Sequence, residues 1–397
     1  MTTPPTGSAL PVVVIGAGLA GWTTVREFRK LDSVTPVLLI TSDSGDFYAK
    51  PTLSNAFAQA RAPAQLVTTP AAKMVETLQI TLKAHTRVTA VDTTARVVRT
   101  ADAEIPYRDL VLATGAQAIR APIGGNASAA VRSVNSLDDF KALHAELTSA
   151  DSSQTDSKTQ RKHVLIIGAG LIGCEFANDL AASGFKVSVV DPAPRPLAAL
   201  LPEEAGLQLR DALTALGVDW HFGQTVLALG EEGRGLRATL SGGKTLGVAV
   251  VLSAIGLRAD TGLAQAAGLS CERGIVVDGQ LRTSAAHVYA LGDGAQYQSA
   301  QGRTLPYVMP IMNAARVLAA TLAGHSAELR FPLMPVAIKT PALPLVVAVP
   351  APGLAGQWQR HEPGLWQFVD AAGEQLGFVL SGPQTARRAE QSRLTAA

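Results

Sequence analysis

Residues 12–21 read VVVIGAGLAG and residues 163–173 read HVLIIGAGLIG. In both, a short run of aliphatic, mostly β-branched side chains meets Gly-x-Gly-x-x-Gly and then a segment with helical apolar spacing. The first predicts a strand over 11–15, a turn over 16–21, a helix over 22–31 and a second strand over 37–40. The second predicts a strand over 163–167, a turn over 168–173, a helix over about 174–183 and a strand over 187–190. In such a turn the first glycine permits the bend and the second lets the main chain approach a pyrophosphate. The third lets the helix close on the strand. N–H groups at the helix start then meet the phosphate charge. One match is weak, because glycine turns that bind nothing are common. Two, each with its strand and helix, form an internal repeat that predicts two dinucleotide-binding domains in one chain.

The residue after the second strand distinguishes the two turns. Asp191 stands 18 residues beyond Gly173, where a carboxylate accepts ribose hydroxyls and repels a 2′-phosphate. NADH is therefore expected over NADPH, with Arg195 nearby as a contrary charge. After Gly21 the same place holds Thr41, followed by Ser42 and Asp43. Asp43 is either the substitute carboxylate or a solvated turn residue. Two nucleotides suggest relay chemistry, in which a flavin at the first turn accepts hydride from a nicotinamide at the second.

The rest of the chain bounds the answer. Its 397 residues are 47% hydrophobic and 17% charged, enough for two or three domains with sizeable cores. A net charge of +2 argues against a nucleic-acid-coating surface. Cys174 and Cys271 are the only cysteines, which excludes a disulfide framework, a cysteine-built metal site and a CxxxxC redox pair. Electrons are expected to leave to an external acceptor. Met1–Pro11 resembles no targeting signal, and no apolar run is long and unbroken enough to span a bilayer. A cytoplasmic location is expected, without membrane insertion. Thr148–Arg161 reads as a polar surface loop. From Phe331 onward, short β runs at 345–349, 365–369 and 375–380 indicate a small α+β domain.

The chain resembles the pyridine-nucleotide–disulfide oxidoreductase superfamily, in its branch without redox cysteines. The likeness rests on the two glycine turns and on DLVLATG (109–115), VLSAIG (251–256), LRTSAAHVYALGDG (281–294) and YVMP (307–310). A narrower resemblance, over essentially the whole chain, is to bacterial rubredoxin–NAD(+) reductases. It rests on TSDSGDFYAKPTLSNAF (41–57), LIIGAGLIGCEFANDLAASG (165–184), LPYVMPIMNAAR (305–316) and IKTPALPLVV (338–347).

The resemblance implies an α/β fold: two Rossmann-like FAD/NAD(P)-binding domains of the glutathione-reductase type and a small α+β C-terminal domain. It divides the chain into a first FAD-binding part (1–115), an NADH-binding domain (116–246), a second FAD-binding part (247–330) and a C-terminal domain (331–397). For FAD it implies Gly16, Gly18, Leu19, Gly21, Lys50, Val88, Thr114, Gly115, Asp293, Val308 and Lys339, beside Thr41 and Asp43. For NADH it implies Gly168, Gly170, Gly173 and Asp191, with Glu175 where nicotinamide meets flavin. Lys50 could equally be an exposed loop lysine, Lys339 could snorkel, and Glu175 could simply complement the helix dipole. Relatives serving ferredoxins often carry a lysine at the position of Asn55, so the resemblance does not supply Glu175 with a lysine there. The implied reaction passes hydride from NADH to FAD and single electrons to an acidic rubredoxin. The protein would be a monomer, in an alkane-hydroxylation or oxygen-detoxification setting. A ferredoxin reductase of an oxygenase system and a non-enzymatic, NADH-responsive flavoprotein module are the alternatives.

Overall fold

The computed structural model describes residues 9–149, 162–233 and 235–395. The expectations for the first eight residues, and for the polar stretch from residue 150 to Arg161, lie outside them. Thr148 itself closes the helix Leu137–Thr148. The described chain forms two compact units, one from residues 9–49, 67–117 and 257–332, the other from 50–66, 118–256 and 333–395.

The first unit is built on a parallel sheet in the order Val288–Ala290, Asp109–Leu112, Val12–Ile15, Val37–Ile40, Thr81–Lys83. Val12–Ile15 and Val37–Ile40 are buried along their whole lengths, so they read as continuous apolar runs without alternation. The helices Leu19–Arg29 and Val308–Leu322 contribute Trp22, Val25, Phe28, Ile311, Ala314, Ala315 and Leu318 to the same core. Each large side chain in it contributes roughly 1.5–3 kcal/mol by leaving water. Trp22 is fully buried and donates from Nε1 to the Gly45 carbonyl at 3.0 Å, tying the helix to the turn after the second strand.

The second unit has a four-stranded parallel sheet in the order Val218–Phe222, Lys186–Asp191, His163–Ile167, Val250–Ser253. An antiparallel meander follows, Val226–Glu232, Gly235–Leu240 and Thr245–Val248. The C-terminal residues form an antiparallel sheet in the order Val336–Ile338, Leu345–Ala348, Gln375–Ser381, Leu365–Val369, Gln357–Glu362, ending in the helix Arg388–Leu394.

The chain partition differs from the sequence expectation in three places. Val250–Ser253 pairs with His163–Ile167, so the chain returns to the first unit at Leu257, not at 247. Residues 50–66 belong with the second unit. The C-terminal sheet does not stand apart. Ile338, Leu345, Val347, Trp366 and Val379 share one apolar cluster with Leu201, Ala205, Leu209 and Phe176. Trp366 Nε1 also donates to Glu204 and Ser381 Oγ to Gln208, both on the helix Glu203–Ala215. A sheet this small buries too little alone, and its apolar face finds a partner on that helix.

No helix among the described residues is long and apolar enough to cross a membrane. Cys174 is buried, and burial pushes its thiol far up; Cys271 is half-buried and also pushed up. Neither is poised as a thiolate.

His163 links two strands and the meander. Its Nδ1 lies 2.9 Å from the Gly247 carbonyl and its Nε2 2.9 Å from Ser188 Oγ. A carbonyl only accepts, so the neutral ring carries its proton on Nδ1 and accepts at Nε2. Burial pushes this imidazole down, and the Gly247 carbonyl opposes that shift. His221 is pushed down by burial too, against Asp219. A folded pKa below the unfolded value of about 6.5 means that the unfolded chain binds more protons between the two. Stability from these rings is complete above about pH 6.5 and declines as pH falls towards the folded values. The urea midpoint of the native chain should therefore drop between pH 7 and pH 5 by more than that of a His163→Gln, His221→Gln variant. Parallel curves would refute the assignment.

Candidate functional site

The two glycine turns share one design. The Cβ of an alanine at Gly21 would lie 1.9 Å from the Gly16 carbonyl oxygen, and one at Gly173 1.9 Å from that of Gly168. At Gly16 a Cβ would lie 2.2 Å from the Ala113 oxygen, and at Gly168 2.7 Å from the Ala254 oxygen. Gly16 and Gly168 also have φ of +108° and +104°. The outer glycines are thus demanded by the protein's own main chain. The middle ones are not. Gly18 and Gly170 have φ of −73° and −77°, open to any residue, and a Cβ on either would meet nothing within 4 Å. What excludes a side chain there is not the protein, and the room left suits a pyrophosphate against the main chain.

The helix starts agree. Gly18 and Gly170 are the N-caps of Leu19–Arg29 and Leu171–Ala182, with no side-chain cap and no carboxylate in the first turn. The helix Leu137–Thr148, by contrast, is capped by Ser136 and carries Asp138 and Asp139. Bare N–H groups at the positive end of a helix suit an anion.

In the first unit the residues named from sequence gather near this turn. Gly292 packs against Ala20, with a Cβ there only 2.9 Å from the Ala20 Cβ, and Gly294 lies as close to the Gly115 carbonyl. Asp293, between them, is therefore held beside the turn and beside Thr114, whose Oγ1 donates to the Asp260 carbonyl at 2.9 Å. Gly115 has φ of +73°. Leu19 opens the first helix, and Val308 opens Val308–Leu322, which packs along it. Val308 is 40% exposed, an apolar side chain left uncovered at a helix start. Thr41 is buried and donates from Oγ1 to Asp43 Oδ1 at 2.7 Å, while Gly45 N donates to the same oxygen at 2.9 Å. Asp43 thus stands two residues beyond the strand-end position, held by its own turn. Val88 begins the strand Val88–Asp92, half-buried and paired with Thr100.

In the second unit Asp191 accepts from Ala169 N at 2.6 Å and from Ala193 N at 2.7 Å. It therefore braces the glycine turn, a task the sequence did not suggest. Each carboxylate oxygen retains a lone pair for a ribose hydroxyl. Arg195 lies over the helix Glu203–Ala215, where Gly206 leaves it room. Lys50 is exposed and donates to Asn135 Oδ1 at 3.3 Å.

Glu175 is the centre of a buried group. It is 4% exposed, and its Oε2 accepts from Ser54 Oγ at 2.6 Å and from Lys339 Nζ. Lys339 Nζ also reaches Ser54 Oγ at 3.1 Å, and Lys339 N donates to Glu175 Oε1 at 3.0 Å. The lysine missing at Asn55 is supplied from the C-terminal sheet. The cation that interrupts IKTPALPLVV is paired, not snorkelling. Asn55 Oδ1 is buried without a partner, at a cost of about 1–3 kcal/mol unless a bound group donates to it. Sequence reasoning missed Ser54, Asn178 and Asp179. For the last two the signal was three polar side chains at i, i+3 and i+4 (Glu175, Asn178, Asp179) in an otherwise apolar helix.

Two glycine-turn nucleotide sites on parallel sheets, with bare helix starts and no paired thiols, define a two-nucleotide oxidoreductase. The chain belongs to the pyridine nucleotide-disulphide oxidoreductase family, whose model matches residues 10–316. A second model, the rubredoxin binding C-terminal domain, matches residues 328–394. The chain is 44% identical to a rubredoxin-NAD(+) reductase of Alcanivorax borkumensis, over 94% of this chain and 95% of that one. It is 40% identical to a nitric oxide reductase FlRd-NAD(+) reductase of Aeromonas hydrophila, over 95% and 94%. Among solved structures, a ferredoxin reductase of Rhodopseudomonas palustris superposes with a TM-score of 0.86 at 28% identity, covering 98% of this chain and 96% of that one.

Middle and outer glycines should therefore fail differently. Gly18→Val should leave the nucleotide-free protein folded with an unfolding midpoint near the native one, yet unable to retain FAD. Gly21→Ala should cost about 3 kcal/mol or prevent folding, through the clash with the Gly16 carbonyl. Retention of FAD by folded Gly18→Val would remove the case for the open cradle.

Proposed function

We propose that this protein carries electrons from NADH through bound FAD to rubredoxin. The observation that carries the reading is the rubredoxin-binding match over 328–394, in the same sheet that supplies Lys339 to Glu175. FAD, when bound, supplies the change from accepting a hydride to releasing electrons singly. The chain's residues do the rest. The N–H groups after Gly18 and Gly170 hold the two pyrophosphates, with Asp293, Thr114 and Gly115 at the flavin's and Asp43 with Thr41 at its ribose. Asp191 takes the ribose of NADH and repels the 2′-phosphate of NADPH. Val88, Leu19, Val308 and Lys50 complete the flavin contacts.

Glu175 holds Lys339 Nζ and Ser54 Oγ as fixed donors, two residues beyond the glycine turn that receives NADH. An ammonium placed on a buried carboxylate keeps its position while charge moves nearby. No protein nucleophile is required. With no cysteine pair to pass electrons onward, the acceptor meets the flavin's electrons directly. A small, transient encounter with an acidic partner suits that task.

We read the protein as a cytoplasmic monomer. Alkane oxidation is one setting for it, and the FlRd-NAD(+) reductase of Aeromonas hydrophila, named for nitric oxide reductase, is kin to another. A ferredoxin acceptor is the second reading, supported by the 28% identity to the Rhodopseudomonas palustris ferredoxin reductase.

Two expected outcomes follow. In steady state, NADH oxidation by the FAD-loaded protein should accelerate steeply on adding rubredoxin, and little with ferredoxins or oxygen. The reverse order would favour the second reading. Asp191→Asn, which retains one acceptor oxygen to brace the turn, should weaken NADH binding roughly 10- to 100-fold. It should narrow the preference over NADPH while FAD stays bound. Unchanged NADH affinity would sink the ribose assignment.

A further inference from the structure

The helix Leu171–Ala182 carries more buried polarity than the Glu175 group uses. Asn178 and Asp179 are each 2% exposed, on the same face as Glu175 at i+3 and i+4. Neither touches Lys339 or Ser54 by hydrogen bond; both grip main chain. Asn178 Oδ1 accepts from Ala342 N at 3.0 Å, three residues beyond Lys339. Asp179 accepts from Phe57 N at 3.0 Å and Ala58 N at 2.8 Å, three and four residues beyond Ser54.

Ser54 lies next to last in a single short 3-10 segment, Lys50–Asn55, and Lys339 follows the end of the edge strand Val336–Ile338. Both therefore lie on irregular chain, far apart in sequence, and Leu171–Ala182 is the regular element they share. Apolar packing adds to this, since the Phe57 ring meets those of Phe140, His144 and Phe185. Packing alone does not set a hydrogen-bond register; main-chain N–H groups aimed at fixed acceptors do.

We propose that Asn178 and Asp179 are positioning residues, which fix where Lys339 and Ser54 meet Glu175 by accepting the N–H groups of Ala342, Phe57 and Ala58. Burial pushes the Asp179 carboxyl up, and the Ala58, Phe57 and Ala56 N–H groups, with the Lys339 charge, only partly oppose that. An apolar residue there would leave the Phe57 and Ala58 N–H groups unpaired, so the carboxylate ties that segment to the helix. The arrangement is worth keeping where side-chain geometry matters, and that is the Glu175 group. The inference rests on the reading above only in giving this group a redox task.

The test is competitive lysine acetylation with acetic anhydride, read peptide by peptide on the FAD-loaded full chain. Lys186 and Lys244, exposed in the same unit, serve as internal standards. Asp179→Asn and Asn178→Leu are near-isosteric, chosen to fold. Each should raise Lys339 modification relative to the standards roughly three- to tenfold, the equivalent of one loosened hydrogen-bond network. In the same variants the limiting rate of flavin reduction by NADH should fall while the dissociation constant for NADH holds. The fall should disappear in a Lys339→Ala background. A Lys339 labelling ratio equal to that of the native chain would overturn the proposal, as would fully additive effects with Lys339→Ala. Labelling does not involve the acceptor, so a protein that shunned rubredoxin would still show the raised ratio if the positioning holds.

Discussion

Everything at the two nucleotide sites depends on one main-chain contact, made twice. The third glycine of each turn presses on the carbonyl of the first, so closely that a single methyl group would strike it. That contact brings the carboxyl end of a buried strand and the amino end of a helix to one point. Because the turn occupies the helix start, neither helix has a capping side chain, and its first N–H groups stay available. The same fold thus creates the anion site and leaves it open. The difference between outer and middle glycines separates fold from function within three glycines that look alike.

A second dependence runs through Glu175. A carboxylate buried to this degree would be costly alone, and its two oxygens are satisfied by a hydroxyl, an ammonium and a main-chain N–H. Those donors come from residues 54 and 339, which the sequence places in different regions. Their meeting explains why residues 50–66 and the C-terminal sheet belong to the second unit. The sheet that matches a rubredoxin-binding model is therefore built onto the nucleotide unit, sharing its apolar core, rather than appended to it.

Local spacing made much of this legible. The strands 163–167 and 365–369 stand where the patterns place them, and both glycine turns have their strand and helix. The helices begin earlier than expected, at Leu19 and Leu171, because the turn residues are already helical once the middle glycine serves as N-cap. What stayed hidden depends on contacts between distant segments. Lys339 was visible as a cation in an apolar run, but its partner lies 164 residues away. Asp191 was visible as a candidate ribose ligand, but not as a brace for Ala169, since a carboxylate's second hydrogen bond leaves no trace in spacing. The register of Asn178 and Asp179 was written in the helix period; what they grip was not.

The most direct measurement is anaerobic and stoichiometric. FAD-loaded protein, reduced with one equivalent of NADH, is mixed with excess oxidised rubredoxin in a stopped-flow cell, and the rubredoxin and flavin absorbances are followed together. Electron relay through FAD predicts that two rubredoxins are reduced per NADH, as the flavin reoxidises in step and faster than steady-state turnover. Reduced flavin that persists beside oxidised rubredoxin, while NADH is consumed by another route, would contradict it.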